Sequence, residues 1–376
     1  MPHRPIVCFD TPLAPSSPYY FGQEIVTQLP GVLKGHNFDR CFLITSRKLM
    51  PLFGEDILGA LRRAGVSGDA VLIKESEQNK SWRTLRGLGE RLVARGATKD
   101  SILMALGGGV IGNIVGLAAA LLYRGVRFVE VPTTIMAQTD STLSNKQAIN
   151  GQRGKNQFGV YHAPLFVWAD AAYAAAEPPR QQRGGIVEGI KNVFISQDCT
   201  SAAEVMLQEW QAGNRFYELL RLLIESKLSI LRRDPTEKGA CVILEYGHTF
   251  GHAVEWLAGN LYHGEAVAIG MCLAAETSHA LGHMSRPFLQ DHYRLLGTRL
   301  GVPTRLPKNI SAAKLLRAMR SDNKRTKKGL RFLLLRRYGE FVNPEGDFQT
   351  AVPLEQLTEV LRGIEAEAVL PDSIIS

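Results

Sequence analysis

Cysteine is scarce in this sequence, and no two cysteines are spaced as a pair. Five cysteines are spread over 376 residues, and none belongs to a C-x-x-C motif. This scatter argues against a disulfide framework and against a thiolate metal site. It fits a protein of a reducing compartment, so we expect a cytoplasmic location.

Long hydrophobic runs are absent as well. The longest apolar segment covers residues 114–122, is interrupted by Gly116 and ends at Tyr123 and Arg124. A membrane-spanning helix needs about 18 or more consecutive apolar residues, so we predict no membrane partner. The opening residues, MPHRPIVCFD, contain no apolar region followed by small residues, and we expect no signal peptide.

Aromatic residues are missing from the most basic segment, KRTKK at residues 324–328. The chain as a whole has a net charge of +8. Surfaces that bind single-stranded nucleic acid combine basic with aromatic residues, so we predict no nucleic-acid partner. The net charge equally suits an enzyme with phosphorylated ligands. For the basic segment, a solvated face and a phosphate-binding loop both remain open.

What the sequence does contain is a change of pattern near residue 180. Its length favours two domains, since a domain has about 100–200 residues. In the first half, short apolar runs alternate with helical patterns, which is typical of a parallel α/β sheet. Beyond Pro178-Pro179, helical patterns dominate. We predict an α/β domain over residues 1–180 and a mainly α-helical domain over residues 181–376.

The predicted elements of the first half are the strands Cys41–Thr45, Val71–Lys74, Ile102–Leu106 and Phe128–Val131 and the helix Trp82–Arg95. Those of the second half are the helices Ala203–Gln211, Phe216–Leu231, His248–Leu257, Gly264–Ala280 and Ala312–Met319.

A glycine-rich turn, GGGVIGN at residues 107–113, stands between a predicted strand and the helical segment IVGLAAALL. This order can place backbone N–H groups and a helix N-terminus against a pyrophosphate. A tight turn with close helix–sheet packing is the alternative. The acid at the usual distance, Glu130, falls inside a predicted strand, whereas a ribose-binding acid is expected at a strand end.

A polar stretch follows between residues 132 and 156. It combines lysine, asparagine and aspartate with glycine, and we interpret it as a loop. Such residues suit a pocket for a polyhydroxylated anionic ligand, and a solvated loop is the alternative. The polar residues are Thr133, Thr134, Asp140, Lys146, Asn150, Lys155 and Asn156.

Histidines are concentrated in the segment ILEYGHTFGHAVEWLAGNLYHGEA, residues 243–266. His248 and His252 are four residues apart and share one side of a predicted helix, and His263 follows. One carboxylate with two histidines is a common open catalytic metal site. The spacing leaves open which groups bind the metal and which one transfers a proton. Upstream, Glu188 and Lys191 would share a helix face, where a surface ion pair is the alternative.

Taken in order, these blocks resemble the sugar phosphate cyclases, the superfamily of 3-dehydroquinate synthase. The resemblance spans nearly the whole chain. It rests on Glu77 and Lys80, GGGVIGN, YRG, VPTT, the block from Asp140 to Asn156, VEGIKN, GHTFGH, YHGEA and Asp322-Asn323-Lys324. It implies an NAD-binding α/β domain followed by an α-helical domain that binds Zn²⁺ or Co²⁺, in a homodimer.

The resemblance also implies roles for individual residues. The metal ligands would be Glu188, His248 and His263, which leaves His252 for proton transfer or for holding the leaving phosphate. Other catalytic groups would be Lys146, Lys191, Lys227 and Glu245. The substrate and its phosphate would meet Arg124, Asp140, Asn156 and Lys324. The cofactor side would comprise Glu77, Lys80, Gly108, Gly109, Asn113, Thr133, Thr134, Asp140, Lys146 and Lys155.

The residues ahead of the first metal histidine bear on the substrate. Dehydroquinate synthases carry R-x-x-x-N-F-G-H-T, which suits a substrate carboxylate, whereas this chain has Cys241 and Glu245 in those places. A glutamate would repel a carboxylate but accept hydrogen bonds from sugar hydroxyls. The E-Y-G-H-T form, with KQAIN and DNKR, resembles the 2-deoxy-scyllo-inosose synthases, which cyclise glucose 6-phosphate for aminocyclitol (aminoglycoside) antibiotics.

This branch of the superfamily implies a carbon–oxygen lyase that depends on NAD and a metal, eliminates phosphate and produces no net oxidation. Dehydroquinate synthases, valiolone-type cyclases and metal-dependent polyol dehydrogenases are the alternatives. One position departs from the expected nucleotide site. At the end of Cys41–Thr45, where an aspartate usually meets the adenosine ribose, the chain has Ser46-Arg47. That pair could accommodate the 2′-phosphate of NADP, so both dinucleotides remain open.

Overall fold

The computed structural model describes residues 5–152, 154–196, 200–320 and 330–367. These residues divide into two compact units, Met1–Pro178 and Pro179–Ser376. Lys324 and the rest of the 322–324 block lie outside the described residues. Within the described part of the chain, no helix is both long and apolar enough to cross a membrane.

The first unit is built on a seven-stranded sheet with the strand order β1-β2-β9-β6-β5-β3-β4. Its strands are β1 (Val7–Asp10), β2 (Pro18–Gly22), β3 (Cys41–Thr45), β4 (Gly68–Leu72), β5 (Ile102–Gly107), β6 (Arg127–Pro132) and β9 (Phe166–Asp170). All neighbours are parallel except β1 and β2. A separate antiparallel hairpin joins β7 (Lys146–Gly151) to β8 (Gly154–Tyr161).

Helices cover both faces of this sheet. They are α1 (Leu29–Lys34), α2 (Glu55–Arg63), α3 (Trp82–Ala94), α4 (Gly109–Leu121), α5 (Ile135–Thr139) and α6 (Ala171–Ala175). Phe42 and Ile44 of β3 pack with residues of α3 and α4, whereas Leu43 packs with residues of α1 and α2. Successive strand side chains point to opposite faces, so a fully apolar strand such as β3 supplies a core on each side.

The sequence predicts β3, β5 and β6 to within a residue or two, but β4 is displaced. The apolar pattern predicts a strand over Val71–Lys74, and the structure has it at Gly68–Leu72. β4 is an edge strand that pairs with β3 alone, and most of its residues are exposed or half-buried. An edge strand covered on one side can begin with glycine and polar residues, so the apolar run marks only its end.

The interpretation of residues 132–156 as a loop is wrong. Residues 146–151 form β7, with Gln147, Ala148 and Ile149 buried. Their partner β8 is almost entirely exposed. The polar residues at the ends of both strands hid the short buried stretch from the periodicity.

The second unit is mainly helical. Its helices are α7 (Pro179–Ile195), α8 (Thr200–Gln211), α9 (Phe216–Leu231), α10 (His248–Ala258), α11 (His263–Ala280), α12 (Arg286–His292), α13 (Ala312–Arg320) and α14 (Leu354–Glu367). Two short antiparallel pairs join β10 (Arg331–Phe332) to β13 (Thr350–Ala351) and β11 (Leu335–Arg337) to β12 (Glu340–Phe341). The five helices predicted for this half occur where predicted. α9 and α13 each carry an apolar stripe with a period near 3.6 residues, whereas α11 is buried on almost all sides.

Candidate active site

Three helices of the second unit approach one another closely enough to bring distant residues together. A Cβ atom on Gly264, at the start of α11, would overlap the carbonyl of Gly184 on α7. A Cβ atom on Gly270 would overlap backbone atoms of Gly247 and Gly251, the latter in α10. Glycine at these two places therefore lets the backbones of α7, α10 and α11 pack against one another, and each of the three helices carries one of the predicted metal ligands.

The predicted ligands converge on a single point. Nε2 of His248 and Nε2 of His263 each lie 3.6 Å from Oε1 of Glu188. One ligand atom of each residue lies within 4.8 Å of a ligand atom of each of the other two. Glu188 is 1% exposed, so its carboxylate faces the two rings with almost no access to bulk water.

Both imidazole rings are oriented by a contact at their other nitrogen. Nδ1 of His248 lies 3.2 Å from the carbonyl oxygen of Tyr246, and Nδ1 of His263 lies 3.2 Å from Oε2 of Glu255. A ring that donates from Nδ1 keeps Nε2 as a free lone pair, as metal-binding histidines do. Burial lowers the pKa of His248 to about 4, although Glu188 and Glu245 oppose that shift. The ring is therefore neutral at physiological pH.

This donor set fits a divalent cation. Two nitrogens and one carboxylate oxygen form the usual protein part of an open catalytic zinc site. Atoms about 2.0–2.1 Å from one tetrahedral ion lie roughly 3.3 Å apart, close to the 3.6 Å between Oε1 of Glu188 and each Nε2. The three ligand atoms thus surround one small volume.

His252 stands beside these ligands. Its ring centre lies 5.3 Å from that of His248 and 5.9 Å from that of His263. It is half-buried and is not among the residues that converge within 4.8 Å. The structure thus distinguishes His252 from His248 and His263, which converge with Glu188. The spacing of the three histidines in the sequence does not make this distinction.

The predicted lysines of this unit are buried. Lys191 pairs with Oε2 of Glu188, and each side chain is 2% exposed. The ion pair that the i, i+3 spacing suggested therefore exists, but it lies in the interior and not on the surface. Lys227 on α9 is 5% exposed, and α9 packs against α7. A buried ammonium needs a counter-charge, which Glu188 supplies to Lys191.

In the first unit, the glycine turn lines a cleft. Its wall includes Gly107, Gly108, Gly109, Asn113, Glu130 and Ser141. A Cβ atom on Gly108 would come within 3.2 Å of Thr134, so the turn leaves space that any other residue would fill. The N-terminus of α4 opens onto this cleft, an arrangement that suits a phosphate group.

Glu130 contributes a carboxyl group to this cleft from within β6. Burial raises its pKa to about 8, although the side-chain amide of Gln147, 3.1 Å away, works in the other direction. The group is therefore mostly protonated near neutral pH, and it does not repel an anion as a carboxylate would. The cleft fits the pyrophosphate of a dinucleotide on these grounds.

Two of the remaining residues predicted on the cofactor side, Thr134 and Asn113, make hydrogen bonds that hold the local fold. Thr134 caps α5 by accepting from the N–H of Ala137 at 3.1 Å. Asn113 donates to the carbonyl of Gly109 and accepts from the N–H of Ala148, both at 2.9 Å. Asn113 therefore ties α4 to β7.

The other residues predicted on the cofactor side differ in exposure. Thr133 is 3% exposed, and Asp140 is half-buried at the end of α5. Lys146 and Lys155 are exposed on the hairpin.

A second polar cluster links residues 77–80 to the hairpin. Nζ of Lys80 donates to Oδ1 of Asn156, and Nδ2 of Asn150 donates to Oε1 of Glu77 at 2.7 Å. Asn150 also accepts from the N–H of Asn156 at 2.9 Å. Burial lowers the pKa of Lys80 to about 8, with Glu77 opposing and Lys155 assisting the shift. This cluster brings together residues that the resemblance assigned separately to the cofactor and to the phosphate.

Arg124 is not brought to the glycine turn of its own unit. It is exposed, has a left-handed backbone (φ 68°) and follows the C-terminal end of α4. The turn lies at the other end of that helix, whose 13 residues span roughly 20 Å. Its role in phosphate binding stays a prediction from the resemblance, as does that of Lys324.

Comparison with known proteins bears on both sites. The family model for the 3-dehydroquinate synthase N-terminal domain matches residues 70–184, and that for the C-terminal domain matches residues 185–325. The chain is also 34% identical to 2-deoxy-scyllo-inosose synthase of Streptomyces kanamyceticus over 359 residues, 92% of this chain and 90% of that protein.

The chain belongs to the dehydroquinate synthase family of sugar phosphate cyclases.

Two further comparisons show that the chain resembles both a dehydroquinate synthase and an inosose synthase. The chain is 33% identical to 3-dehydroquinate synthase of Nitrosospira multiformis over 365 residues, 95% of this chain and 97% of that protein. A crystal structure of 2-deoxy-scyllo-inosose synthase complexed with carbaglucose-6-phosphate, NAD+ and Co2+ superposes with a TM-score of 0.87 at 29% identity, covering 95% of this chain and 99% of that one. Overall identity therefore does not separate the two cyclase reactions.

The segment ahead of His248 distinguishes this cyclase from the dehydroquinate synthase pattern. Cys241 is 5% exposed, and its N–H donates to Oδ2 of Asp234 at 3.0 Å. Burial alone would raise the pKa of Asp234, but N–H donors from Cys241 and Gly239 lower it to about 2. Cys241 and Glu245 both belong to a short 3₁₀ helix, Ala240–Glu245, and the charge of Glu245 raises the pKa of the His248 ring against the effect of burial. This cyclase thus has a thiol and an acid where the pattern has a cation and an amide.

Sequence reasoning missed a pair of residues that supports His248. The hydroxyl of Tyr246 lies 2.9 Å from Nε2 of His292, and both residues are fully buried. Nδ1 of His292 lies 3.0 Å from the carbonyl oxygen of Phe288, and its ring stacks on Phe194 with centres 3.9 Å apart. The pair fixes the residue whose carbonyl orients the His248 ring. The signal was tyrosine in place of the phenylalanine of N-F-G-H-T, but nothing in the sequence pointed to His292.

Proposed function

We propose that this sugar phosphate cyclase is a carbon–oxygen lyase that converts glucose 6-phosphate to 2-deoxy-scyllo-inosose with release of phosphate. The observation that carries this proposal is the environment of the metal ligands. Glu245 places a negative charge near His248, and Cys241 stands where a carboxylate-binding arginine would be. The chain's likeness to an inosose synthase that was crystallised with carbaglucose-6-phosphate supports the same substrate.

The charge at residue 245 separates an aldose phosphate from a keto-acid phosphate. A substrate carboxylate beside a second carboxylate would be destabilised, and like-charge contacts reject a ligand by several kcal/mol in order of magnitude. A sugar hydroxyl instead donates to the carboxylate, and a hydrogen bond to a charged group contributes about 1.5–3 kcal/mol. The same residue therefore attracts glucose 6-phosphate and repels the dehydroquinate synthase substrate.

We infer that Glu188, His248 and His263 hold a divalent metal and that the cleft at the glycine turn holds a nicotinamide dinucleotide. The ion supplies Lewis acidity toward a substrate oxygen, and the dinucleotide supplies reversible hydride exchange, so that the reaction is redox-neutral overall. The crystallised relative with NAD+ and Co2+ supports this pairing. Zn²⁺ and Co²⁺ both suit the two nitrogens and one carboxylate that the chain offers.

The chain's own residues have complementary tasks in this proposal. His252, beside the ligands but outside the ligand set, is placed to move a proton at the substrate. Lys191 keeps Glu188 ionised by pairing with its second oxygen. Glu245 accepts from sugar hydroxyls and so orients the ring.

Lys227, Lys80 and Asn156 are candidates for binding the phosphate group of the substrate. In the second unit, Lys227 offers a cationic donor suited to a phosphate. In the first unit, the cluster of Lys80 with Asn156 offers a cationic and an amide donor suited to such a group. Lys80 carries its charge conditionally, because its pKa of about 8 lies near physiological pH.

The test is a product assay. The purified protein is incubated with NAD⁺, Co²⁺ and glucose 6-phosphate while inorganic phosphate, absorbance at 340 nm and product mass are followed. The proposal expects one phosphate released per six-carbon carbocyclic ketone, with no accumulating NADH. Accumulation of NADH without phosphate release would mean a polyol dehydrogenase, a class that shares this architecture, and would overturn the proposal.

A further inference from the structure

The nucleotide cleft has no acid at the end of β3. Serine and arginine occupy residues 46 and 47, whereas an NAD site of this kind usually presents an aspartate or glutamate to the 2′-hydroxyl of the adenosine ribose. An arginine in that place is typical of sites that bind the 2′-phosphate of NADP. Arg47 is exposed, so its guanidinium is available to such a phosphate.

A carboxylate from the neighbouring strand lies in this region. Glu75 follows β4 by three residues, and its Oε2 accepts from Oγ of Ser46 at 3.1 Å. Its Oε1 lies 3.4 Å from the backbone nitrogen of Gly108, in the glycine turn. β3 lies between β4 and β5 in the sheet, so Glu75 reaches across the end of β3 to the turn that follows β5.

Ser46 is fixed in this arrangement. It is 4% exposed, and its Oγ also accepts from the N–H of Leu49 at 3.3 Å. With that backbone donor satisfied, the hydroxyl proton of Ser46 goes to Glu75. The serine therefore holds the carboxylate in place.

We propose that Glu75 is the residue that selects NAD over NADP in this protein, by accepting hydrogen bonds from the adenosine ribose and by repelling a 2′-phosphate. The assignment rests on the proposed function, since it requires that a dinucleotide binds at the glycine turn. In this assignment an acid that follows β4 takes the place of the acid missing after β3, and Arg47 does not determine the choice between the two dinucleotides.

The experiment is calorimetric titration of the full-length protein with NAD⁺ and with NADP⁺, without substrate. We expect the wild type to bind NAD⁺ at least about 100-fold more tightly than NADP⁺. Glu75→Gln keeps the shape and removes the charge, and we expect it to weaken NAD⁺ binding about 10-fold and to strengthen NADP⁺ binding. Glu90→Gln is the matched control. Glu90 is exposed on α3 and paired with Arg86, and its loss should leave both affinities unchanged.

Arg47→Ala tests whether Arg47, and not Glu75, determines the choice between the two dinucleotides. The proposal expects this variant to keep the wild-type preference. A wild type that binds NADP⁺ as tightly as NAD⁺, a Glu75→Gln variant with the wild-type ratio, or an Arg47→Ala variant that loses NADP⁺ binding selectively would each overturn the assignment while leaving a dinucleotide enzyme in place. Failure of both dinucleotides to bind the wild type would instead contradict the proposed function, and the assignment with it.

Discussion

Oε1 of Glu188 lies 3.6 Å from Nε2 of His248, although the two residues are 60 positions apart and belong to different helices. Their contact is a consequence of helix packing at glycine and of an imidazole held from behind by the carbonyl of Tyr246. A carboxylate and two imidazoles therefore converge on one point from three different helices.

Removing the charge of Glu188 should strongly weaken metal binding. We expect Glu188→Gln to weaken Co²⁺ binding by more than about 100-fold, because an amide is a poor ligand and leaves Lys191 without its counter-charge. Glu255→Gln changes the carboxylate that contacts Nδ1 of His263 and keeps the proposed ligands themselves. It should weaken Co²⁺ binding about 10- to 100-fold, the usual effect of losing a residue that hydrogen-bonds to a metal ligand. The visible absorption of bound Co²⁺ measures both.

The control for these variants is Glu225→Gln. Glu225 is a half-buried residue of α9 paired with Arg221, so the same chemical change is made away from the proposed ligands. It should leave the Co²⁺ spectrum and affinity as in the wild type. Full Co²⁺ affinity in Glu188→Gln would remove Glu188 from the ligand set.

The approach of α11 to α7 should depend on Gly264. A methyl group there would overlap the carbonyl of Gly184, so Gly264→Ala should push α11 and His263 away from Glu188. We expect a loss of about 1–3 kcal/mol in the free energy of unfolding, the usual result of overpacking, together with weaker Co²⁺ binding. Urea unfolding and Co²⁺ titration measure the two effects.

Gly363 on α14 provides the contrast, because nothing lies within 4 Å of the position that its Cβ would take. Gly363→Ala should stabilise the protein by up to about 1 kcal/mol, as alanine does in a helix, and leave Co²⁺ binding unchanged. Equal behaviour of the two variants would show that the site does not need the close helix contact.

Glu245 should determine which sugar phosphate is accepted. Glu245→Asn removes a charged acceptor for hydroxyl groups, so kcat/KM for glucose 6-phosphate should fall about 10- to 100-fold. Turnover of the seven-carbon keto-acid phosphate used by dehydroquinate synthases should rise relative to it, and further when Cys241→Arg is added. Steady-state phosphate release with each substrate gives the ratio. An unchanged ratio would mean that Glu245 does not read the substrate.

His292 should make the fold sensitive to mild acid. Burial lowers the pKa of this ring from 6.5 to about 4 in the folded protein, although its bond to the Phe288 carbonyl acts the other way. As the pH falls below about 6.5, the unfolded chain takes up the proton first, so stability is lost between pH 6.5 and 4. The loss attributable to His292 is on the order of 3 kcal/mol.

Urea unfolding of chelator-treated protein at several pH values checks this expectation. In His292→Gln, whose side-chain oxygen can still accept from Tyr246, the fall in stability between pH 6.5 and 4 should be smaller than in the wild type. Parallel pH profiles for the two proteins would show that His292 is not the group that titrates.

The architecture was largely predictable from sequence because its elements have strong periodic signals. β3 and β5 are fully buried apolar strands, and α9 has a long apolar stripe. The hairpin of β7 and β8 was not predictable, because one of its strands is almost entirely exposed. Exposed strands carry little of the alternation on which such predictions depend.

The site divides in a similar way. The identities of Glu188, His248 and His263 came from resemblance, whereas their convergence required the glycine contacts between helices. Two buried partners could not be found from spacing, since Tyr246 and His292 are 46 residues apart. The proposed role of Glu75 could not be predicted from the sequence either. The acid of a nucleotide site is expected after β3, where this chain has Ser46-Arg47, whereas Glu75 follows β4.

The central claim is most directly tested by the specificity of the wild type. The measurement is the ratio of kcat/KM for glucose 6-phosphate to that for the seven-carbon keto-acid phosphate, followed by phosphate release with NAD⁺ and Co²⁺ present. We predict a ratio above about 100, since one substrate hydrogen-bonds to Glu245 and the other is repelled by it. A ratio below one would contradict the account and would make this chain a dehydroquinate synthase with an unusual approach to its metal site.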